Sequence, residues 1–366
     1  MNRILSQSQK ELAQFGRDRL TVALAFLLPL AILMIYGFAI RLEVKNIPLS
    51  VQDFDRSSLS RSYIERLYAN QQFIPAPTPQ GLATEPIDRN RSKATLIIPP
   101  NFSRQLQAGQ TTAVQVLVDG TDVNNARVIQ GSIRATTRFF VGTIRDLPPP
   151  AIQPEIRLWF NPGRQESLYI VPGIFGVILW VFPSMLAAIA VVREKEQGTI
   201  LQIYASDLTA GEWLLGKGLA YLLVGLAEAF VVMGVSMLIF GIRLAGEPSA
   251  LLVGTLTFLA AAVSFGLLVG SRGSNQNAVV QGTAILGFLT AFLLSGFIYR
   301  LENIPFPLSM VSKIIPARYY IILTRDAFLR GTGWPGVWFV PLTIAALGTL
   351  MFLGAVRSLQ AMQLND

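Results

Sequence analysis

The stretch LTVALAFLLPLAILMIYGFAI, from Leu20 to Ile40, contains no charged residue and decides the class of this protein. A helix needs about 20 consecutive apolar residues to cross the hydrocarbon core of a bilayer. The stretch begins too far from the N-terminus for a signal peptide, and no small-residue cleavage site follows it. The sequence therefore predicts a retained membrane-spanning helix over residues 20–40.

Five further apolar stretches predict five more spanning helices, which together occupy residues 168–356. Their predicted bounds are 168–192, 213–241, 250–270, 278–299 and 331–356. The composition agrees, because 52% of the residues are hydrophobic and 14% are charged, whereas soluble domains carry about 25% charged residues. The chain is therefore predicted to cross the membrane six times.

Residues 41–167, between the first two spans, are polar and predict a small α/β domain outside the cytoplasm. Apolar alternation and helical spacing place its elements as strands over 47–54, 94–98 and 113–118 and helices over 58–73, 101–106 and 124–144. Four aspartates, Asp53, Asp55, Asp119 and Asp122, stand at strand ends and turns, where aspartate bonds to its own backbone, so no metal site is predicted. The predicted fold class is an α-helical polytopic membrane protein with an inserted extracytoplasmic α/β domain.

Basic residues predict the orientation of the chain. Six spans place both termini on one side, and Arg3, Lys10, Arg17 and Arg19 precede the first span. Because basic residues are enriched in short cytoplasmic segments, both termini are predicted to be cytoplasmic, with a tail over 357–366. The net charge of +8 is spread along the chain, which favours contact with the lipid bilayer and indicates no nucleic-acid binding.

The first 19 residues are predicted to form an interfacial amphipathic helix. Ile4, Leu5, Leu12 and Phe15 fall on one helical face, and the basic residues lie off that face. The alternative interpretation is a solvated helical extension of the first span.

The residue inventory excludes much catalytic chemistry. The chain contains no cysteine and no histidine, so serine–histidine and cysteine–histidine nucleophiles and cysteine-based zinc sites are excluded. The stretch from Gly211 to Lys217 imitates a phosphate-binding loop, but Gly218 stands where Ser or Thr must hold magnesium. We therefore predict no catalytic residue, no metal site and no cofactor in this chain, which is not expected to be an enzyme.

Residues 193–212 predict a cytoplasmic segment with a special role. Four charges of mixed sign, at residues 193–196, follow the second span. Gly198 then allows a tight turn, Thr199 can cap a helix, and the residues after it offer apolar surface. A short capped helix of this kind suits docking into a groove on a partner protein, although an ordinary loop packing on its own bundle is the alternative. The candidate docking residues are Arg193, Glu194, Glu196, Gly198, Thr199, Ile200 and Leu201.

Two further features lie within the membrane-spanning part. Glu228 falls mid-span, where a charge is costly and needs a partner or a water-filled path, so it is a candidate pathway residue. The alternative interpretation is that Glu228 forms a hydrogen bond to a neighbouring helix and has a structural role. Residues 298–330 are apolar but rich in helix breakers, and they predict short helices that re-enter the outer leaflet.

Seven phrases along the chain resemble the type-2 exporter permeases of the ABC (ATP-binding cassette) superfamily, in the subgroup with a large extracytoplasmic domain between the first two helices. The phrases are VQDFDRSSLSR at 51–61, TLIIPPNFSRQLQAG at 95–109, VQVLVDGTDVNNA at 114–126, REKEQGT at 193–199, LLGKGLAY at 214–221, LLSGFIYRLENIP at 293–305 and IIPARYY at 314–320.

The resemblance implies the function and the partners. It implies a permease subunit that exports an amphiphilic or hydrophobic substrate across the bacterial inner membrane. A separate cytoplasmic ATPase subunit holds ATP and magnesium and docks on the coupling segment over residues 193–212, where the resemblance implies that Glu194, Glu196, Gly198 and Thr199 lie at the contact. A second permease chain, identical or paralogous, completes the pathway, and a periplasmic adaptor protein is an optional partner.

Two other functions fit parts of the sequence. A proton-coupled secondary transporter could use Glu228 as its carrier, but this class of transporter predicts more acidic residues in the spans. A membrane-anchored receptor or assembly factor could act through the α/β domain, but it needs neither six spans nor a docking segment.

Overall fold

The computed structural model describes residues 2–39, 45–79, 81–144, 157–199 and 208–363. These residues belong to two compact units. The helical unit comprises Met1–Ile40 and Leu158–Asp366, and the insert comprises Arg41–Arg157. The insert therefore ends at residue 157 rather than at the predicted 167. Asn161 bonds to both backbone groups of Gln165, and this turn leads directly into the next long helix.

Two helices open the chain: α1 over Asn2–Arg17 and α2 over Arg19–Ala39. They separate at Asp18, whose carboxylate accepts hydrogen bonds from the backbone and the hydroxyl of Thr21 and so caps α2. The predicted apolar face of α1 is divided in the structure. Leu12 and Phe15 pack against the helical core, whereas the side chain of Leu5 is 47% exposed.

The insert folds into a four-stranded sheet with helices. Its elements are β1 Ile47–Asp53, α3 Ser58–Ala69, β2 Phe73–Pro75, α4 Glu85–Asp88, β3 Ala94–Ile98, α5 Phe102–Gln107, β4 Gln115–Val118 and α6 Val123–Ile144. The strand order is β2-β1-β3-β4, and β1 is parallel to both of its neighbours. Strand β4 pairs antiparallel with β3 and forms one edge of the sheet.

Two elements of the insert differ from the prediction. Helix α3 ends at Ala69, before the predicted 73, because Gln71 adopts a left-handed conformation with φ of 56°. Phe73 then returns to the core and opens strand β2, which pairs with β1. The segment between β2 and β3, for which no helix is predicted, also contains the short helix α4, with Pro86 in its first turn.

Three long helices follow: α7 over Ser167–Glu196, α8 over Ala210–Phe240 and α9 over Ser249–Arg272. Helix α7 is the central helix, since most of its residues are buried inside the helical unit. Gly266 and Gly270 of α9 face the backbone of α7 at Ser184 and Ala188. A Cβ atom at Gly270 would lie 2.6 Å from the Ala188 carbonyl oxygen, so only glycine permits this close approach.

The last third of the chain is more broken. Its helices are α10 Gln276–Thr283, α11 Thr290–Leu293, α12 Leu308–Lys313, α13 Pro316–Arg325, α14 Trp334–Val337 and α15 Phe339–Gln363, with π-helical turns over Ala284–Leu289 and Asp326–Arg330. The α10–α11 run ends at Leu293 rather than at the predicted 299, and Gly296 follows with φ of 86°.

The final span also differs in its bounds. Helix α15 begins at Phe339 rather than at 331, because Gly331 and Gly333 have positive φ and so cannot be part of a regular helix. It continues to Gln363, so most of the predicted tail over 357–366 is helical. Six helices or helical runs of the described chain are long and apolar enough to cross a membrane, and these are α2, α7, α8, α9, α10–α11 and α15. The predicted α-helical membrane fold with an inserted α/β domain is confirmed.

Candidate functional site

The candidate site lies at the C-terminal end of α7, where the predicted docking segment begins. Four helix ends meet there: the end of α7, the start of α8, the end of α9 and the start of α10. Helix α1 packs along α8 at the same place. Gly216 of α8 permits this contact, because a Cβ atom there would lie 2.6 Å from the Cβ and Cγ atoms of Gln7.

Lys217 of α8 forms the centre of a buried ion network. Its Nζ atom lies 2.5 Å from Oε1 of Glu11 in α1 and 3.2 Å from Oε1 of Glu194 in α7. It also donates to the Ala190 carbonyl at 3.1 Å and lies 4.9 Å from the centre of the Trp213 ring. A lysine with a side chain only 1% exposed needs such partners, because an unpaired buried charge is strongly unfavourable.

Glu194 extends the network to a second lysine. Its Oε1 atom accepts a hydrogen bond from Lys10 Nζ of α1 at 3.1 Å and forms an ion pair with Lys217 Nζ at 3.2 Å. Its Oε2 atom is buried and has no hydrogen-bond partner within the described residues. Two acids and two lysines therefore alternate across α1, α7 and α8. Lys217, which belongs to the stretch that imitates a phosphate-binding loop, is therefore paired within this network.

Arg193 forms a second link between α7 and the N-terminal helices. Its guanidinium lies 3.7 Å from the carboxylate of Asp18, at the junction of α1 and α2. The hydrogen bonds from Thr21 hold the pKa of Asp18 below its ordinary value, and the nearby Arg193 acts in the same direction. Asp18 is therefore ionised at neutral pH and attracts Arg193.

Lys195 and Glu196 connect α7 to the other side of the bundle. Lys195 donates to the carbonyl oxygens of Ser271 and Gly273 at the end of α9. Glu196 accepts from the backbone nitrogen of Gln276 at 2.8 Å and from its side-chain amide, at the start of α10. A cation at a helix C-terminus and an anion at an N-terminus both complement the helix dipoles.

The remaining candidate residues form the turn after α7. Gly198 has φ of 67°, which a side chain would disfavour. The Thr199 hydroxyl donates to the carbonyl oxygen of Glu194 at 3.2 Å, so it closes the end of α7. Ile200 and Leu201 lie outside the described residues. The predicted segment 193–212 ends in the first turn of α8, where Thr209 and Glu212 form a reciprocal capping box.

Glu228 is not part of this network. It lies eleven residues beyond Lys217 in α8, which is about 17 Å along a helix. Its side chain is fully buried, and neither carboxylate oxygen has a hydrogen-bond partner in the described part of the chain. The predicted interhelical hydrogen bond is therefore not seen.

Sequence reasoning missed Glu11, Asp18, Lys217 and Gln276 as members of this site. The sequence of α1 contained one indication of this contact, since Gln7, Ser8 and Glu11 form a polar stripe on one helical face. The structure buries all three of these side chains. Within the described residues no three acidic, histidine or cysteine side chains gather as a metal site. The arrangement supports mechanical connection between helices.

Comparisons with known proteins agree with this architecture. The family described as "ABC-2 family transporter protein" matches residues 19–357. The "Probable multidrug ABC transporter permease YbhS" of Escherichia coli is 28% identical, over 96% of this chain and 95% of its own. The related permease YbhR of the same organism is 26% identical, over 96% and 97%. The "Inner membrane transport permease YhhJ" of E. coli is 28% identical over 83% of each chain.

Proposed function

This chain belongs to the ABC-2 family of transporter proteins, and from that premise we propose how it works as the permease subunit of an ABC exporter. The observation that carries the function is the family match over residues 19–357, together with the six apolar helices within that range. The energy source is ATP hydrolysis in a separate ATPase subunit, so this chain is a transport subunit without an ATPase site of its own.

The ATPase docks at residues 193–212. Glu196, Gln197 and Gly198 are exposed at the end of α7, so they are available to a partner. Glu194 is buried and paired with two lysines, so its role is to position α7 rather than to touch the ATPase. Ile200 and Leu201 follow the exposed turn directly and supply the apolar contact. Charges there set orientation, and apolar anchors supply more of the affinity.

The ion network turns docking into motion of the bundle. Because Arg193, Glu194, Lys195 and Glu196 are bonded to five other helices, a displacement of the α7 end is transmitted to α1, α2, α8, α9 and α10 together. The buried pair of Glu194 and Lys217 resists separation, since breaking it leaves an unpaired buried charge. The C-terminal end of α7 thus acts as a stiff lever between the ATPase and the transmembrane helices.

The pathway forms between two permease chains, identical or paralogous. Helix α2 carries large exposed apolar side chains, among them Leu20, Leu27 and Phe38, which face lipid or the second chain. The substrate is an amphiphilic or hydrophobic compound taken from the cytoplasm or inner leaflet, as the multidrug names of the relatives suggest. Both termini are cytoplasmic in this arrangement, and an adaptor protein outside the cytoplasm is a further partner.

A second candidate function rests on Glu228. A fully buried acid without a partner in the described residues of a spanning helix is a feature of proton carriers. Under that hypothesis the chain is a secondary transporter, or the exporter couples substrate movement to a proton.

Transport in proteoliposomes tests the proposed function. The chain is reconstituted with its cognate ATPase, and ATP-dependent accumulation is measured for a panel of amphiphilic dyes. We expect accumulation that requires ATP and both subunits and persists when an ionophore collapses the proton gradient. Accumulation that requires only this chain and a proton gradient contradicts the proposal.

A further inference from the structure

The insert contains an open cavity of about 740 Å³ between the edge strand β4 and helix α6. Its floor is formed by Val114, Val116 and Val118, and its far wall by Ile133 and Val141. A second cavity of about 230 Å³ shares Val114, Thr137 and Val141 with the first, so the apolar space continues beneath α6. Ligand pockets of drug-sized molecules have volumes of about 300–1,000 Å³.

The valine floor is a part of the sheet that the described residues of the insert cover only in part. Val116 and Val118 pair with Leu96 and Ala94 on the same face of the sheet. Leu96 and Ala94 are completely buried, whereas both valines are half-buried. These two valines and Val114, which directly precedes β4, form an apolar stripe whose contact with water is unfavourable. This face is therefore suited to an apolar guest.

The rim of the cavity is cationic. Arg134 and Arg138 line it from one side of α6, four residues apart, and neither forms an ion pair within the residues that the structure describes. Helix α6 carries three arginines and no acidic residue along its 22 positions. Like charges four residues apart destabilise a helix slightly, so the pair is not explained by the stability of α6.

We propose that this cavity binds a single-chain anionic amphiphile, with its acyl or ring body on the valine floor and its acidic head between Arg134 and Arg138. The inference goes beyond the proposed function and does not depend on it, since the cavity lies wholly within the insert. Two guanidinium groups bind a carboxylate through charge-assisted hydrogen bonds, which are stronger than neutral ones. A neutral lipid of the same length lacks that contribution.

Cysteine protection tests the proposal, because the chain contains no cysteine that would react in the background. Val116→Cys places a thiol on the cavity floor. Leu117→Cys is the matched control, since the next residue of a strand points to the opposite face. Both full-length variants are placed in nanodiscs of neutral phosphatidylcholine, and labelling by a membrane-impermeant maleimide is timed with and without oleate.

We expect oleate at about ten times its Kd to slow labelling of the Val116→Cys variant about tenfold and to leave the Leu117→Cys variant unchanged. Adding Arg134→Gln and Arg138→Gln should weaken oleate binding about tenfold or more. Arg127→Gln, on the same helix but away from the cavity, should have no effect. Oleyl alcohol should protect much less than oleate.

Several outcomes overturn the proposal. Equal labelling of the Val116→Cys variant with and without oleate shows that the cavity does not hold the amphiphile. If oleyl alcohol protects as well as oleate, or if oleate protects equally after the Arg134→Gln and Arg138→Gln substitutions, the arginines do not recognise the acidic head. If nanodiscs of anionic phosphatidylglycerol protect the Val116→Cys thiol without oleate, this face of the insert binds the bilayer surface and not a single amphiphile.

Discussion

The ammonium group of Lys217 lies 2.5 Å from the Oε1 atom of Glu11, although the two residues are 206 positions apart in the chain. Their side chains are 1% and 3% exposed, so this ion pair joins α1 to α8 inside the protein. Glu194 of α7 completes the group. The N-terminal helix is therefore part of the same mechanical unit as the segment where the ATPase is proposed to dock.

Lys217→Met should destabilise the helical unit strongly. The change leaves Glu11 and Glu194 buried without their shared cation, and breaking a buried ion pair costs about 3–5 kcal/mol. We expect a lower melting temperature of the purified chain and faster proteolysis between α1 and α2. Glu194→Gln should lower the stability less, because the ion pair between Lys217 and Glu11 remains intact. The exposed Lys313→Met is the control, and equal melting temperatures for all three variants would show that the network is dispensable.

Glu196→Lys should weaken ATPase docking without unfolding the permease. The exposed carboxylate caps α10 through Gln276, so its loss weakens only that helix end, while the new positive charge reverses the sign of the surface that the partner meets. Co-purification of the ATPase and permease-stimulated hydrolysis are the measurements. Glu196→Gln separates the two effects, since it keeps hydrogen bonding but removes the charge. The exposed Glu247→Lys, in the loop between α8 and α9, is the matched control.

Gly198→Pro should impair coupling more than Glu196→Lys. Proline fixes φ near −65°, whereas Gly198 has φ of 67°, so the turn after α7 cannot form. The variant should still insert in the membrane, because the residue lies beyond the end of α7. Normal recruitment and stimulation of the ATPase by this variant and by Glu196→Lys would show that residues 193–212 are an ordinary loop.

Glu228→Gln should retain most ATP-driven transport. The amide keeps nearly the same shape and removes the titratable proton, so only a proton-carrying role is lost. Initial transport rates in proteoliposomes are compared with the unmodified chain, and ATPase co-purification checks that the variant assembles. A complete loss of transport in a variant that still recruits the ATPase would favour the proton-coupled hypothesis.

Single cysteines should place the insert and the docking turn on opposite sides of the membrane. The chain has no native cysteine, so Gly120→Cys reports the insert and Gln197→Cys reports the turn after α7. In intact cells we expect an impermeant maleimide to label only the Gly120→Cys variant. In permeabilised cells we expect it to label both variants. The reverse pattern would invert the proposed topology.

Local sequence patterns were sufficient for the elements that depend on local chemistry. The charge-free stretch at 20–40 predicted α2 within one residue, because crossing a bilayer requires only length and apolarity. Strand β3 matches its predicted bounds, since apolar residues and the following prolines are both local signals. Gly198 was correctly placed in a turn for the same reason.

The tertiary structure alone decided which charges are buried and with which partners. Nothing near Lys217 in the sequence shows that Glu11 and Glu194 neutralise it, and Glu194 was consequently expected at the ATPase contact. Strand β2 escaped prediction because three residues are too few for a pattern, and only pairing with β1 holds them extended. The cavity beside β4 likewise depends on how far α6 lies from an edge strand. The physical reason is the same in each case: the free energy of a buried charge or an uncovered apolar face depends on distances between elements that lie far apart in the chain, and those distances exist only after folding.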